Sequence, residues 1–93
     1  MSAPTRSAQR TLADLSVGQS GIVRALHVQG LERRRMMDLG LTPGVRVTAE
    51  FRSPLGDPVS YRVRGALIAL RRGQALQIDI ESDLERVDAT ESD

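Results

Sequence analysis

Ninety-three residues make at most one domain, and the absence of cysteine excludes disulfides, thiolate metal sites and a cysteine nucleophile. No apolar run approaches the roughly 18 residues of a membrane span, and the polar stretch Met1–Arg10 lacks the apolar centre of a signal peptide. The expectation is therefore a cytoplasmic protein that meets a membrane only through a partner. Formal net charge is +1, unevenly placed: Asp83, Glu85, Asp88, Glu91 and Asp93 against Arg86 put 82–93 at −4, which leaves the rest at +5, and all 13 basic side chains are Arg. With Phe51 and Tyr61 the sole aromatics, a core has to be assembled from Val, Ile, Leu, Met and Ala.

Residues 1–11, polar and aperiodic, predict a flexible arm. The domain is expected over 12–81, starting with Leu12–Val17 and a turn through Gly18 and Gly21. A strand follows from Ile22 to Val28. Its alternation is imperfect, because Ile22, Leu26 and Val28 share parity with Arg24, so a bulge or burial on both faces is needed. Gly30–Leu39 predicts a short helix with Leu31, Met36 and Leu39 on its apolar face and Met37 on the outer side between Arg33 and Arg34. Gly40 suits a left-handed helix stop, and Pro43-Gly44 suits the centre of a type II turn.

Val45–Arg52 alternates strictly, which points Val45, Val47, Ala49 and Phe51 inward. Ser53–Pro58 is a hairpin loop with Leu55 at its tip, and Val59–Arg64 alternates again with Tyr61 inward. Gly65 permits a bend into the apolar strand Ala66–Leu70. Arg71–Leu76 is a short turn of 3₁₀ character, and Gln77–Glu81 is one more alternating strand. The fold class is mainly β: five short strands and one helix, arranged as a small barrel that removes exposed edges. Residues 82–93 form an acidic flexible tail for which no role is assigned.

Four segments in this order carry a resemblance: Arg35-Met36-Met37-Asp38-Leu39-Gly40-Leu41-Thr42-Pro43-Gly44, Ser53-Pro54-Leu55-Gly56-Asp57-Pro58, Tyr61-Arg62-Val63-Arg64-Gly65 and Ala69-Leu70-Arg71. Over Leu12–Glu81 the chain resembles the ferrous iron transport protein A (FeoA) family. The resemblance implies an SH3-like barrel and an accessory role in ferrous iron transport and iron homeostasis. It also implies a partner, the FeoB-like membrane iron transporter with its cytosolic GTPase domain. The same fold is found as the C-terminal domain of iron-dependent repressors. The residues ahead of Leu12 are too few for a DNA-binding domain, so a free-standing FeoA is expected.

Candidate sites are few. Asp79, Glu81 and Asp83 alternate at the end of the last strand and His27 is the lone histidine, a set too sparse for an iron site, so no metal or cofactor is expected. No nucleophile elbow, phosphate-cradling glycine loop or catalytic triad is recognisable, so an enzyme is not expected. Nucleic-acid binding is the alternative function: Arg62 and Arg64 would supply phosphate contacts, but with Phe51 and Tyr61 inward a stacking platform is missing, so no stable complex is expected. Protein docking is favoured, with Arg33, Arg34, Met37 and Leu55 as the partner-binding residues, extended by Arg71 and Arg72, because Arg and Met are enriched at interfaces. Weak self-association through strand edges stays open as a further alternative.

Overall fold

The computed structural model describes residues 10–82. The expected arm over 1–9 and the acidic tail over 83–93 lie outside the described residues. Six strands and two α-helices organise the described residues: β1 (Arg10–Thr11), β2 (Ser20–Leu26), α1 (Gly30–Asp38), β3 (Arg46–Arg52), β4 (Val59–Val63), β5 (Ala66–Leu70), α2 (Arg72–Ala75) and β6 (Ile78–Ser82), with a 3₁₀ turn at Leu12–Asp14 after β1. The strands form one antiparallel six-stranded sheet in the order β1-β6-β2-β3-β4-β5; among the described residues β1 and β5 each pair on one side only, so the expected closure that would remove exposed edges is incomplete. The sequence predicts five strands. The sixth is β1, which takes Arg10 and Thr11 out of the expected arm by pairing them with Ile80 and Asp79. Such a two-residue strand leaves no hydrophobic period to read; its partner strand supplies the order.

The sheet curls around one apolar core. Leu12, Leu41, Val47, Val63, Ile78 and Ile80 are fully or almost fully buried. Tyr61 is buried among them and its hydroxyl donates to the Leu12 carbonyl at 3.3 Å, which ties β4 to the turn after β1 across the core. Burial raises the Tyr61 hydroxyl above its ordinary pKa near 10, because desolvation disfavours the phenolate.

Two bulges set which side chains face out. In β2, Val23 pairs with Ile80 and Ala25 with Asp79, so Arg24 is the extra residue. That resolves the broken alternation: Ile22 and Val23 are both buried, Arg24 is exposed, and Leu26 returns to the core. In β3, Ala49 pairs with Tyr61 and Phe51 with Ser60, so Glu50 is the extra residue. The parity flips there, and Phe51, expected inward, is 52% exposed.

The connection from α1 to β3 is built as its residues require. The Leu41 N–H bonds to the Met36 carbonyl and the Gly40 N–H to the Met37 carbonyl, both at 3.0 Å, a Schellman stop with Gly40 at φ +106°. Met36 and Leu41, the apolar pair of that motif, are both buried. Val45 N–H then bonds to the Thr42 carbonyl at 3.0 Å with Gly44 at φ +96°, the expected type II turn. Between β4 and β5 the turn is tight, with Arg64 at φ +50° and Gly65 at φ +86°, a type I′ hairpin in which a non-glycine residue holds a left-handed conformation.

Candidate functional site

The exposed surface of α1 is the candidate site. At 3.6 residues per turn, Met36 points straight into the core and is the helix's one buried residue. Leu31 and Leu39, expected to share its buried face, are 67% and 49% exposed. Nine residues with a single anchor cannot turn a whole apolar face inward, so both flanks of the helix meet solvent.

One flank carries Arg33, Arg34 and Met37. These three line a shallow depression with Gly30 and Asp38. Met37 differs from its expected outer position: it is half-buried and packs against the edge of the core, while Arg33 and Arg34 are exposed beside it. Neither arginine has an ion-pair partner among the described residues. The cluster therefore joins in space as an apolar floor with two exposed cations, a composition suited to a protein interface.

Leu55, 93% exposed, stands at the tip of the β3–β4 loop. The loop is held at its base by Ser53 N–H to the Pro58 carbonyl at 3.1 Å and by Arg72 N–H to Asp57 Oδ1 at 2.8 Å. Arg71 adds a long ion pair to Asp57 at 3.9 Å. Gln74 Nε2 donates to Glu32 Oε2 at 2.8 Å, so α2 bridges the loop to the other flank of α1. Leu55 is not among the residues lining the Arg33–Arg34–Met37 depression.

That other flank was missed as a site by sequence reasoning. Leu31, Glu32, Arg35 and Leu39 line a cleft of about 420 Å³ on the helix side, Ala69 and Leu70 of β5 line it on the sheet side, and Met36 and Gln74 complete it. The signal in the sequence is the Leu31, Met36 and Leu39 spacing, but apolar residues at helical spacing predict a buried face, not a cleft.

The carboxylates at the end of β6 have other uses. Asp79 Oδ2 lies 2.8 Å from His27 Nε2, and Glu81 pairs with Arg24 at 3.5 Å; Asp83 lies outside the described residues. Among the described residues no group of three or more His, Asp or Glu side chains converges as a metal site. Arg62 is likewise engaged, by Glu50 at 3.0 Å. No helix among the described residues is long and apolar enough to cross a membrane.

Comparison with known proteins follows this architecture. A solution structure of FeoA from Chlorobium tepidum superposes with a TM-score of 0.75 at 33% identity, over 78% of this chain and 70% of that one. The zinc complex of Stenotrophomonas maltophilia FeoA, described as a prokaryotic SH3 domain protein, gives a TM-score of 0.66 at 28% identity, over 77% of this chain and 89% of that one. The Fe(2+) transport protein A/Fe(2+) transporter FeoB fusion protein of Porphyromonas gingivalis is 31% identical over 70 residues, 75% of this chain but 8% of the fusion protein's length. Residues 10–82 match the FeoA domain family, from β1 to the last residue of β6, and the chain belongs to that family, with its SH3-like fold.

Proposed function

We propose that this protein is a cytosolic accessory protein of ferrous iron uptake that docks on the cytosolic part of a FeoB-like GTPase transporter. The observation that carries the reading is the Porphyromonas gingivalis relative, in which an Fe(2+) transport protein A and an FeoB transporter share one chain. Covalent fusion holds two partners at a high effective concentration, which is useful where the separate proteins associate. The docking surface in this reading is the Arg33–Arg34–Met37 flank of α1 together with Leu55.

Calorimetry between the purified 93-residue chain and the cytosolic domain of its own organism's FeoB-like protein, with and without guanine nucleotide, tests it. Saturable binding is expected, and the Arg33→Glu, Arg34→Glu, Met37→Ala triple variant should bind at least about 100-fold more weakly while its circular dichroism stays native. Undiminished affinity in that variant would remove the proposed surface.

One observation favours a second reading, nucleic-acid binding. Phe51 stands outward beside Arg52, so the stacking residue that the alternation pointed inward is available. Against it, Arg62 is engaged by Glu50, and a lone exposed aromatic offers a one-base platform. Oligonucleotide binding that strengthens as salt falls and disappears in Phe51→Ala would support this reading; no shift at low salt would end it.

A further inference from the structure

We propose that the cleft between α1 and the free edge of β5 is a strand-addition site for an extended peptide with an aliphatic side chain between flanking carboxylates. The inference concerns the opposite flank of α1 from the docking surface above and does not depend on it.

The backbone argument comes first. The two-residue hairpin makes Val63 and Ala66 a hydrogen-bonded pair, and pairs alternate from there along an antiparallel ladder. Ala66, Ile68 and Leu70 therefore direct their N–H and C=O groups toward β4. Leu67 and Ala69 direct theirs toward the free edge, where no backbone hydrogen bond reaches them among the described residues. These groups recognise an extended main chain of any sequence.

The edge is also undefended. Strands at sheet edges usually carry Lys, Pro or a bulge that deters pairing, whereas β5 reads Ala-Leu-Ile-Ala-Leu in unbroken register. Ahead of it stands α1, pinned at both ends. Gly40 lies close against Val63 and Arg64 at the base of the hairpin, and Glu32 accepts from Gln74 at the other end. The cleft of about 420 Å³ between them is walled by Leu31 and Leu39, both exposed, and this apolar wall gives an incoming aliphatic side chain its place.

Charge selects the flanks of the peptide. Arg35 stands on the wall, Arg64 at the hairpin end of β5, and Arg71 and Arg72 at its other end. Of the nearby acids, Asp57 is paired with Arg71 and accepts the Arg72 N–H, whereas Glu32, which accepts from the neutral Gln74, keeps its charge; Arg35, Arg64 and Arg72 still outnumber it around the cleft. Carboxylates on either side of the aliphatic residue would meet cations at both ends of the strand, while a basic peptide would be repelled.

The test uses the full chain and a set of capped pentapeptides whose three central residues are drawn from Val, Leu and Ile, with Glu at both ends or Lys at both ends. The readouts are amide shifts and hydrogen exchange. The expected result is that Glu-flanked members shift the Leu67 and Ala69 amides and slow their exchange by about tenfold or more at saturation, leaving Ile68, already bonded to β4, unchanged. Leu39→Glu and Ala69→Pro should each weaken binding by about tenfold; the proline removes the outward N–H without touching the β4 ladder, and Leu39 is exposed enough to leave the fold intact. No peptide binding, binding that leaves Leu67 and Ala69 unmoved, or equal binding of Lys-flanked members would overturn the proposal. So would protection of those two amides in the free protein: if it rises with concentration the edge is filled by a second copy, and if it does not the chain fills its own cleft.

Discussion

The two flanks of α1 differ in chemistry although they share one helix and one anchor. The Arg33–Arg34–Met37 flank sets two cations over a thioether that reaches the core edge; the Leu31–Leu39 flank is an aliphatic wall, with Glu32 and Arg35 beside it, facing a strand edge. A helix that buries only Met36 is a poor contributor to the core. It is instead a two-sided projection from the barrel, held by a stop motif at one end and a Gln74–Glu32 hydrogen bond at the other. Low burial in an ordered, capped helix marks surface whose residues are not spent on packing.

The largest way to break the comparison is to remove what both flanks share. Met36→Ala should cost about 3 kcal/mol of stability, since a fully packed methionine is lost to a cavity, and should weaken both surfaces together in denaturation and binding experiments. Gly40→Val should follow at about 2–3 kcal/mol, because a β-branched residue is strained at φ +106° and its Cβ would press on Val63 Cγ1 at 3.3 Å. Gly44→Val shares the strain at φ +96° but meets no atom within 4 Å, so its cost should be smaller, about 1–2 kcal/mol. Equal costs for the two would show that crowding against the hairpin does not hold the end of α1.

Smaller effects sharpen the picture. Tyr61→Phe should cost about 1 kcal/mol through the lost bond to the Leu12 carbonyl. Because the Tyr61 pKa is raised in the folded state, its contribution is fully present below pH 10 and declines as pH rises further, where the unfolded chain releases the proton and the native one retains it. A wild-type stability curve that falls above pH 10 more steeply than that of Tyr61→Phe would verify this. Arg64→Asn should leave stability unchanged or raise it by about 0.5 kcal/mol, since Asn tolerates φ +50° better than Arg, and should weaken acidic-peptide binding at the β5 edge. Leu31→Ala, on an exposed wall, should change stability by less than about 0.5 kcal/mol in the same denaturation assay.

Legibility followed the physics of each segment. The helix stop and type II turn could be read because glycine and proline act on their own backbone: Gly40, Pro43 and Gly44 need no distant partner to declare a conformation. The alternating run Val59–Val63 could be read for the same reason, as period two along one strand fixes its own faces. Arg33, Arg34 and Met37 could be grouped because 3.6-residue periodicity puts them on one side, although it could not show that Met37 touches the core. Phe51 was misplaced because a bulge is a property of a pair of strands: Glu50 is extra only relative to β4.

By itself, then, the sequence determined the order of the longer strands and of α1, the stop and turn after α1, the SH3-like class, and that Arg33, Arg34 and Met37 lie on one side of the helix. The tertiary structure alone decided that Arg10–Thr11 pair as a strand, that Phe51 faces outward, and that Leu31 and Leu39 wall a cleft rather than a core. The division has one cause. Backbone dihedral preferences and side-chain periods are local and travel with the residues that carry them, whereas burial and strand pairing depend on which neighbour arrives, and in a small barrel with a helix held by one methionine, neighbours run out before the apolar residues do.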